Sequence, residues 1–135
     1  MNSMHKALRL ITNNPMVVER WEKHRKIHVV FVEGNDCREV LVQVRDQIHH
    51  GCRLLTHPYS GSLKPNENPY RSVLITAEPE LMDLNHVAMI EQCIQTTNQA
   101  IARKKIPAYR QQVLVDFMML DGEMIASGLQ NALDQ

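Results

Sequence analysis

Ile27-His28-Val29-Val30-Phe31-Val32 and Ser72-Val73-Leu74-Ile75-Thr76-Ala77 are the two runs on which the fold turns. Both are β-branched and close to continuously apolar. A strand that reads this way is covered on both faces, as in a sheet held between helices; a one-sided strand would alternate. Two further apolar runs, Leu8-Arg9-Leu10-Ile11-Thr12 and Arg53-Leu54-Leu55-Thr56, bring the set to four.

Helical patterns separate these runs. Asn14 is placed to cap, and Pro15 to open, a helix over about residues 16–25, because proline has no N–H to lose there and its φ is already helical. In the next helix, over about 38–50, Val40, Leu41, Val44 and Ile48 recur at helical spacing, and Gly51 stands where a left-handed C-cap is wanted. A longer helix follows Pro79, with Leu84, Val87, Ile90, Ile94, Thr97 and Ile101 on one stripe and Arg103-Lys104-Lys105 at its negative end. Pro107 opens a last helical stretch whose inward side is read as Val113, Leu114, Phe117, Met118, Leu120, Met124, Ile125 and Leu129, with breaks at Asp121-Gly122 and Gly128. The order β-α-β-α-β-loop-β-α-α predicts a single α/β domain over residues 1–135. Its expected architecture is a three-layer sandwich, with a small, mostly parallel four-stranded sheet of order about 2-1-3-4 flanked by helices. The link of about fifteen residues before the fourth strand has no helical pattern; it suits a parallel crossover, the reading taken, or an antiparallel turn.

At 135 residues the chain has the size of one domain and can bury a core without disulfide or metal. Lys plus Arg equals Asp plus Glu at 15 each, so there is no basic excess of the kind nucleic-acid binding needs. The three cysteines are odd in number and widely spaced, which fits reduced thiols in the cytoplasm rather than a secreted disulfide framework. The N-terminus lacks the pattern of a secretory signal, and no apolar run approaches the ~18 residues of a membrane span. Neither a membrane nor a cofactor is expected as a partner.

In open α/β sheets ligands bind at the carboxyl ends of strands where the strand order reverses. For order 2-1-3-4 that point lies between the first and third strands, and these are followed by the two unusual loops of the chain. Thr12-Asn13-Asn14-Pro15 leads into a helix N-terminus, where free N–H groups and the helix dipole attract anions and the Asn13 and Asn14 amides add donors. The structural alternative is a cap and an Asx turn. His57-Pro58-Tyr59-Ser60-Gly61-Ser62-Leu63-Lys64-Pro65-Asn66-Glu67-Asn68-Pro69-Tyr70-Arg71 is long, without regular structure, and stiffened by three prolines. Ser60, Gly61 and Ser62 are read as an oxyanion cradle, with Lys64 and Arg71 as neutralising cations. The alternative is a rigid connection with solvated charges. His57 is the candidate general acid or base, with Glu67 or Asp46 to orient it.

His49, His50, Cys52 and His57 are the densest group of metal-ligand types, but their spacing fits no standard zinc site, and no metal is expected. Cys52 with His57 as a nucleophile pair is weaker, since the thiol falls at a strand start.

The segments LITNNPMV, VVFVEG and VRDQIHHGCRLLTHPYSGSLKPNENPYRSVLI resemble the GrdX family, small proteins encoded beside the glycine reductase and related amino-acid reductase genes of anaerobic bacteria. The likeness covers about residues 8–78 and is most specific where R-D-x-I-H-x-G, L-L-T-H-P, S-G-S-x-K-P-N-E and P-Y keep their spacing. The chain departs from the family at Cys52, Tyr59 and Asn68, where His, Leu and Thr are usual. The first departure weakens any metal site built on that position. The resemblance implies an accessory role near amino-acid reduction and transfers no catalytic residue. Three readings follow. The chain is a binder of a small anionic metabolite, or an enzyme using His57, or an interaction module for reductase subunits with an exposed apolar patch around Met118, Met119 and Met124. A homodimer is expected.

Overall fold

The computed structural model describes residues 6–58 and 64–134. The elements run β1 (Leu8–Thr12), α1 (Pro15–Trp21), β2 (Ile27–Phe31), α2 (Arg38–His49), β3 (Ser72–Thr76), α3 (Leu84–Arg103) and α4 (Gln111–Leu133). Among the described residues the sheet has three strands in the order β2-β1-β3. β1 pairs parallel with β2 and antiparallel with β3, which sets Thr12 opposite Ser72 and Leu10 opposite Leu74.

The fold is α/β as expected, but the mostly parallel four-stranded sheet of order 2-1-3-4 is corrected on two points. Residues 72–76 lie directly against β1, not beyond residues 53–56. Among the described residues of the link 57–71 there is no crossover helix, and the chain returns antiparallel to the segment at Leu54. Residues 53–56 in turn form only an isolated antiparallel bridge, Leu54 to Ile75. Side chains interrupt the ladder there. Thr56 Oγ1 accepts from the Leu74 N–H at 2.9 Å, and Thr76 Oγ1 accepts from the Arg53 N–H at 2.8 Å. A hydroxyl that takes a backbone donor competes with the regular strand pattern. The helix α3 fixes this edge from outside, since His86 Nδ1 accepts from the Leu54 N–H at 3.0 Å.

Helices cover both sheet faces. On one, Ile11, Val73 and Ile75 pack with Val40, Leu41, Val44 and Ile48 of α2 and Ile90 of α3. On the other, Leu10, Ile27 and Leu74 pack with Val17 of α1 and Ile125 and Leu129 of α4. The alternation 73–74–75 between the two clusters is the two-residue period of a strand buried on both sides. Gly51 has φ +109°, and a Cβ there would stand 2.0 Å from the Glu80 carbonyl oxygen, so both conformation and space call for glycine past the end of α2.

Two helix expectations are also revised, for α1 and α4, and the cap of α3 is supplied. α1 ends at Trp21 rather than near residue 25. α3 is capped by Asp83, whose side chain accepts from the Asn85 and His86 N–H groups. α4 runs unbroken through Asp121-Gly122 and Gly128, and its buried side chains are Asp121, Ile125 and Leu129. Leu120 and Met124, expected inside, are 47% and 40% exposed. Each precedes a buried position by one residue, about 100° around the helix.

Candidate functional site

The carboxyl end of β1 and the start of β3 meet beneath the middle of α4, and a cluster of buried polar residues gathers there. Thr12, Asn13, Asn14, Asn68, Arg71, Ser72 and Asp121 are all buried. Buried polar groups persist only where they are hydrogen-bonded, so each partner is informative.

Asn14 is held on every side. Its Oδ1 accepts from the Met16 N–H at 3.0 Å, while Nδ2 donates to the Met118 carbonyl at 2.8 Å and to Asp121 Oδ2 at 3.0 Å. Asn13 is equally committed. Its Nδ2 donates to the Pro69 and Asp36 carbonyls, and its Oδ1 accepts from the Arg71 N–H at 2.8 Å. The two amides therefore bind protein groups and fasten three distant segments together. The first-turn donors of α1 are occupied as well: the Val17 and Val18 N–H groups donate to the Asn14 carbonyl.

From Asn14 a hydrogen-bonded chain leads to a carboxyl. The Asn14 N–H donates to Thr12 Oγ1 at 2.9 Å, Thr12 Oγ1 and Ser72 Oγ lie 2.7 Å apart, and Ser72 Oγ donates to Asp121 Oδ2 at 2.7 Å. Burial pushes the Asp121 carboxyl above its ordinary range, opposed by the Asn14 and Ser72 hydrogen bonds and by the charge of Arg71.

Asp121, Ser72 and Arg71 form part of the wall of a cavity of about 480 Å³, together with His57, Thr56 and the apolar side chains of Met124 and Ile125. Arg71 is 7% exposed and donates from Nη1 to the Pro58 carbonyl at 3.3 Å. His57 is exposed at the rim and also borders a smaller cavity of about 160 Å³ with Cys93, Met89 and Gln92. Burial raises the Cys37 and Cys93 thiols against the opposing charge of Arg71. A larger groove of about 740 Å³ lies by Arg38, Lys105 and Tyr109. There Arg38 and Asp36 pair with each other at 2.8 Å, so most of its charge is already matched.

Among the sequence candidates, the fold brings His57 and Arg71 to one cavity, with Asn13 and Asn14 behind its wall. Lys64 and Glu67 do not line it; they are exposed and close a local turn, the Lys64 N–H donating to Glu67 Oε1 at 3.2 Å. Ser60, Gly61 and Ser62 lie outside the described residues. The metal-type residues are dispersed. His49 pairs with Glu91 at 3.1 Å, His50 Nδ1 lies 2.7 Å from the Asp46 carbonyl, and Cys52 is buried beside Gln47. Asp46 itself pairs with Arg45 at the surface. Among the described residues no group of three or more His, Cys, Asp or Glu could hold a metal ion. The residues that sequence reading missed are Thr12, Ser72 and above all Asp121. One signal was available: Asp121 stands on the stripe it shares with Ile125 and Leu129, and an acid on an apolar stripe is a buried charge in need of a reason.

The family model of the GrdX-like proteins matches residues 9–130. The chain belongs to the GrdX-like family. The match runs well past the motif-bearing loops and takes in α3 and most of α4, including Asp121. No curated protein and no solved structure matches the chain. Among the described residues no helix of this GrdX-like protein is long and apolar enough to cross a membrane.

Proposed function

We propose that this GrdX-like protein binds a small anionic metabolite in the 480 Å³ cavity between β3, the edge segment 54–57 and α4. The observation that carries the reading is Arg71, a buried guanidinium in the wall of an open cavity that Thr56, His57, Ser72, Asp121, Ser127 and Asn131 also line with polar side chains. Arginine keeps its charge when buried and presents a fork suited to carboxylate and phosphate oxygens. Asn13 and Asn14 act here as positioning residues, since their amides hold the Arg71 backbone and the Asp121 carboxyl in place. Met124 and Ile125 give the cavity an apolar side for the remainder of the ligand. The reading also places the protein in the cytoplasm, with its three free thiols reduced, in a role linked to amino-acid reductase metabolism.

A thermal-shift screen with sulfate, phosphate, acyl phosphates and small carboxylates tests it, on the wild type and on Arg71→Gln. An anion at about one hundred times its dissociation constant stabilises by about 2.7 kcal/mol, a readily measured rise in Tm. The rise is expected to vanish in Arg71→Gln, with circular dichroism confirming that the variant is folded. No response to any of these anions sinks the reading. The same screen run as a turnover assay on the hits, with His57→Gln as control, tests whether His57 makes the site an enzyme.

A second reading, an interaction module, has an observation of its own. Leu81, Met82 and Leu84 are 91%, 46% and 70% exposed before and at the start of α3, and Met119, Leu120 and Met124 are exposed on α4. These are the surfaces on which a homodimer or a reductase subunit would sit. Light scattering on the wild type, and pull-downs with reductase subunits using Leu81→Ser and Met119→Ser, separate the two partners. A monomer that captures neither removes the reading.

A further inference from the structure

The polarity of the hydrogen bonds around Asp121 makes a sharper statement about what the cavity holds, resting on the anion-binding reading above. Asn14 can be oriented in only one way. Its Oδ1 faces the Met16 N–H and its Nδ2 faces the Met118 carbonyl, so the third contact must be Nδ2 donating to Asp121 Oδ2. Ser72 Oγ donates to the same oxygen at 2.7 Å. Oδ2 is therefore the acceptor oxygen of the carboxyl, and a proton on this group resides on Oδ1. Oδ1 takes part in neither bond, and Asp121 lines the cavity.

Both donors to Oδ2 are uncharged, and the side chain is 8% exposed on the same face of α4 as Ile125 and Leu129. A carboxylate so placed would exchange its hydration for neutral hydrogen bonds from the Asn14 side chain and from the side chain and backbone of Ser72, none of which brings a counter-charge to the buried site. The titratable or charged side chains that share the cavity wall with it are Arg71 at the entrance to β3 and His57 on the edge segment. From the β1–α1 side it meets the neutral Asn14 and, through Ser72, the neutral Thr12. Arg71 favours the ionised form, and the burial outweighs it.

We propose that at neutral pH Asp121 enters the cavity as a neutral carboxylic acid that donates a hydrogen bond from Oδ1 to the bound anion. Arg71 then supplies the charge of the site and Asp121 a directed neutral donor. Such a pair takes a simple oxyanion, phosphoryl or carboxylate group. It disfavours a zwitterionic amino acid, because with its carboxylate on Arg71 the adjoining ammonium would face a neutral Asp121 rather than a carboxylate.

Sulfate is the probe, because its charge is constant over the pH range used, and alanine is the zwitterion. Titration calorimetry is run on the wild type, Asp121→Asn and Asp121→Ala, each checked for folding. The asparagine variant keeps an acceptor toward Asn14 and Ser72 and a donor toward the cavity. It is expected to bind sulfate within about threefold of the wild type at neutral pH, while Asp121→Ala binds about tenfold or more weakly, the effect of one hydrogen bond to a charged group. As pH rises and Asp121 ionises, the wild type is expected to lose affinity about tenfold per unit while Asp121→Asn does not follow. His57 is common to both proteins and cancels in that comparison. Infrared difference spectra of wild type minus Asp121→Asn are expected to show the carbonyl stretch of a protonated carboxyl at neutral pH. Sulfate binding with an ionised Asp121, or alanine binding that is lost in Asp121→Asn, overturns this inference and leaves the anion site standing. A wild type that binds neither sulfate nor any other anion overturns both.

Discussion

Asn14 has three hydrogen-bonding contacts through its side chain, and all three end inside the protein. The residue that sequence reading offers either as a cap or as a ligand donor is a cap that also reaches a buried acid. Asn14→Ala removes the cap, worth about 1 kcal/mol, and the Asp121 hydrogen bond, worth a similar amount, so a loss of roughly 2 kcal/mol is expected in urea unfolding. Asn14→Asp is the more telling change. It keeps the acceptor for the Met16 N–H but sets a second carboxyl 3.0 Å from the first. Two carboxyls at that distance hold one proton between them, so the variant should be less stable than Asn14→Ala at neutral pH and recover as pH falls. An Asn14→Asp protein whose deficit is the same at both pH values would contradict the contact. Burial raises the thiols of Cys37, Cys52 and Cys93 above the ordinary range, which keeps the reactive thiolate scarce. Slow labelling by a disulfide reagent in native buffer, and rapid labelling of all three thiols in denaturant, are the expected results.

Between elements, α4 is where sequence and structure part most clearly. Gly128 reads as a helix breaker, yet the helix passes through it. A Cβ on Gly128 would lie 2.5 Å from Cγ2 of Thr56, so the glycine serves the approach of α4 to the edge segment rather than an end. Gly128→Ala gains about 1 kcal/mol of helix propensity and meets an overpacking cost of about 1–3 kcal/mol. A net destabilisation, relieved by Thr56→Ser, is therefore expected; serine removes the methyl and keeps the hydroxyl that accepts from the Leu74 N–H. A thermal-unfolding cycle of the two single variants and the double reads the coupling, and additive effects would argue against this contact. The same threonine explains why the sheet could not be ordered from sequence. Periodicity places an apolar run at residues 53–56, but it does not report that the hydroxyls of Thr56 and Thr76 take backbone donors and leave a single bridge. The strands read from the runs at 8, 27 and 72 hold because their apolar residues divide cleanly between two helix-covered faces, a pattern visible in one dimension.

Over the whole molecule the candidate site joins residues from three remote stretches, 12–14, 57–72 and 118–125, around one carboxyl. Two of these stretches announce themselves by composition, as loops rich in Asn, Pro and Ser. The third does not, because an aspartate followed by glycine in a helical pattern looks like a terminus until the helix is seen to bury it. The carboxyl leaves a signature in global stability. A group with a raised folded-state pKa binds more protons in the native than in the unfolded chain, so its contribution is fully present below the unfolded value and is lost as pH rises. For Asp121 the loss begins near pH ~3.9 and proceeds at about 1.36 kcal/mol per unit until the folded-state value is passed. Asp36 works in the opposite sense: burial pushes it up, but the Arg38 hydrogen bonds and charge hold it below its ordinary value, so its contribution disappears in acid. Asp36 is present in both proteins when the wild type is compared with Asp121→Asn, and it drops out of the difference. The stability of Asp121→Asn relative to wild type is therefore expected to rise steadily with pH above about 4 and then level off, the plateau marking where Asp121 ionises in the folded protein. Urea unfolding of the two proteins at half-unit pH steps measures it. A flat difference would mean that the carboxyl ionises as readily inside the fold as outside it, and a falling one that Asp121 is held as a carboxylate by Arg71.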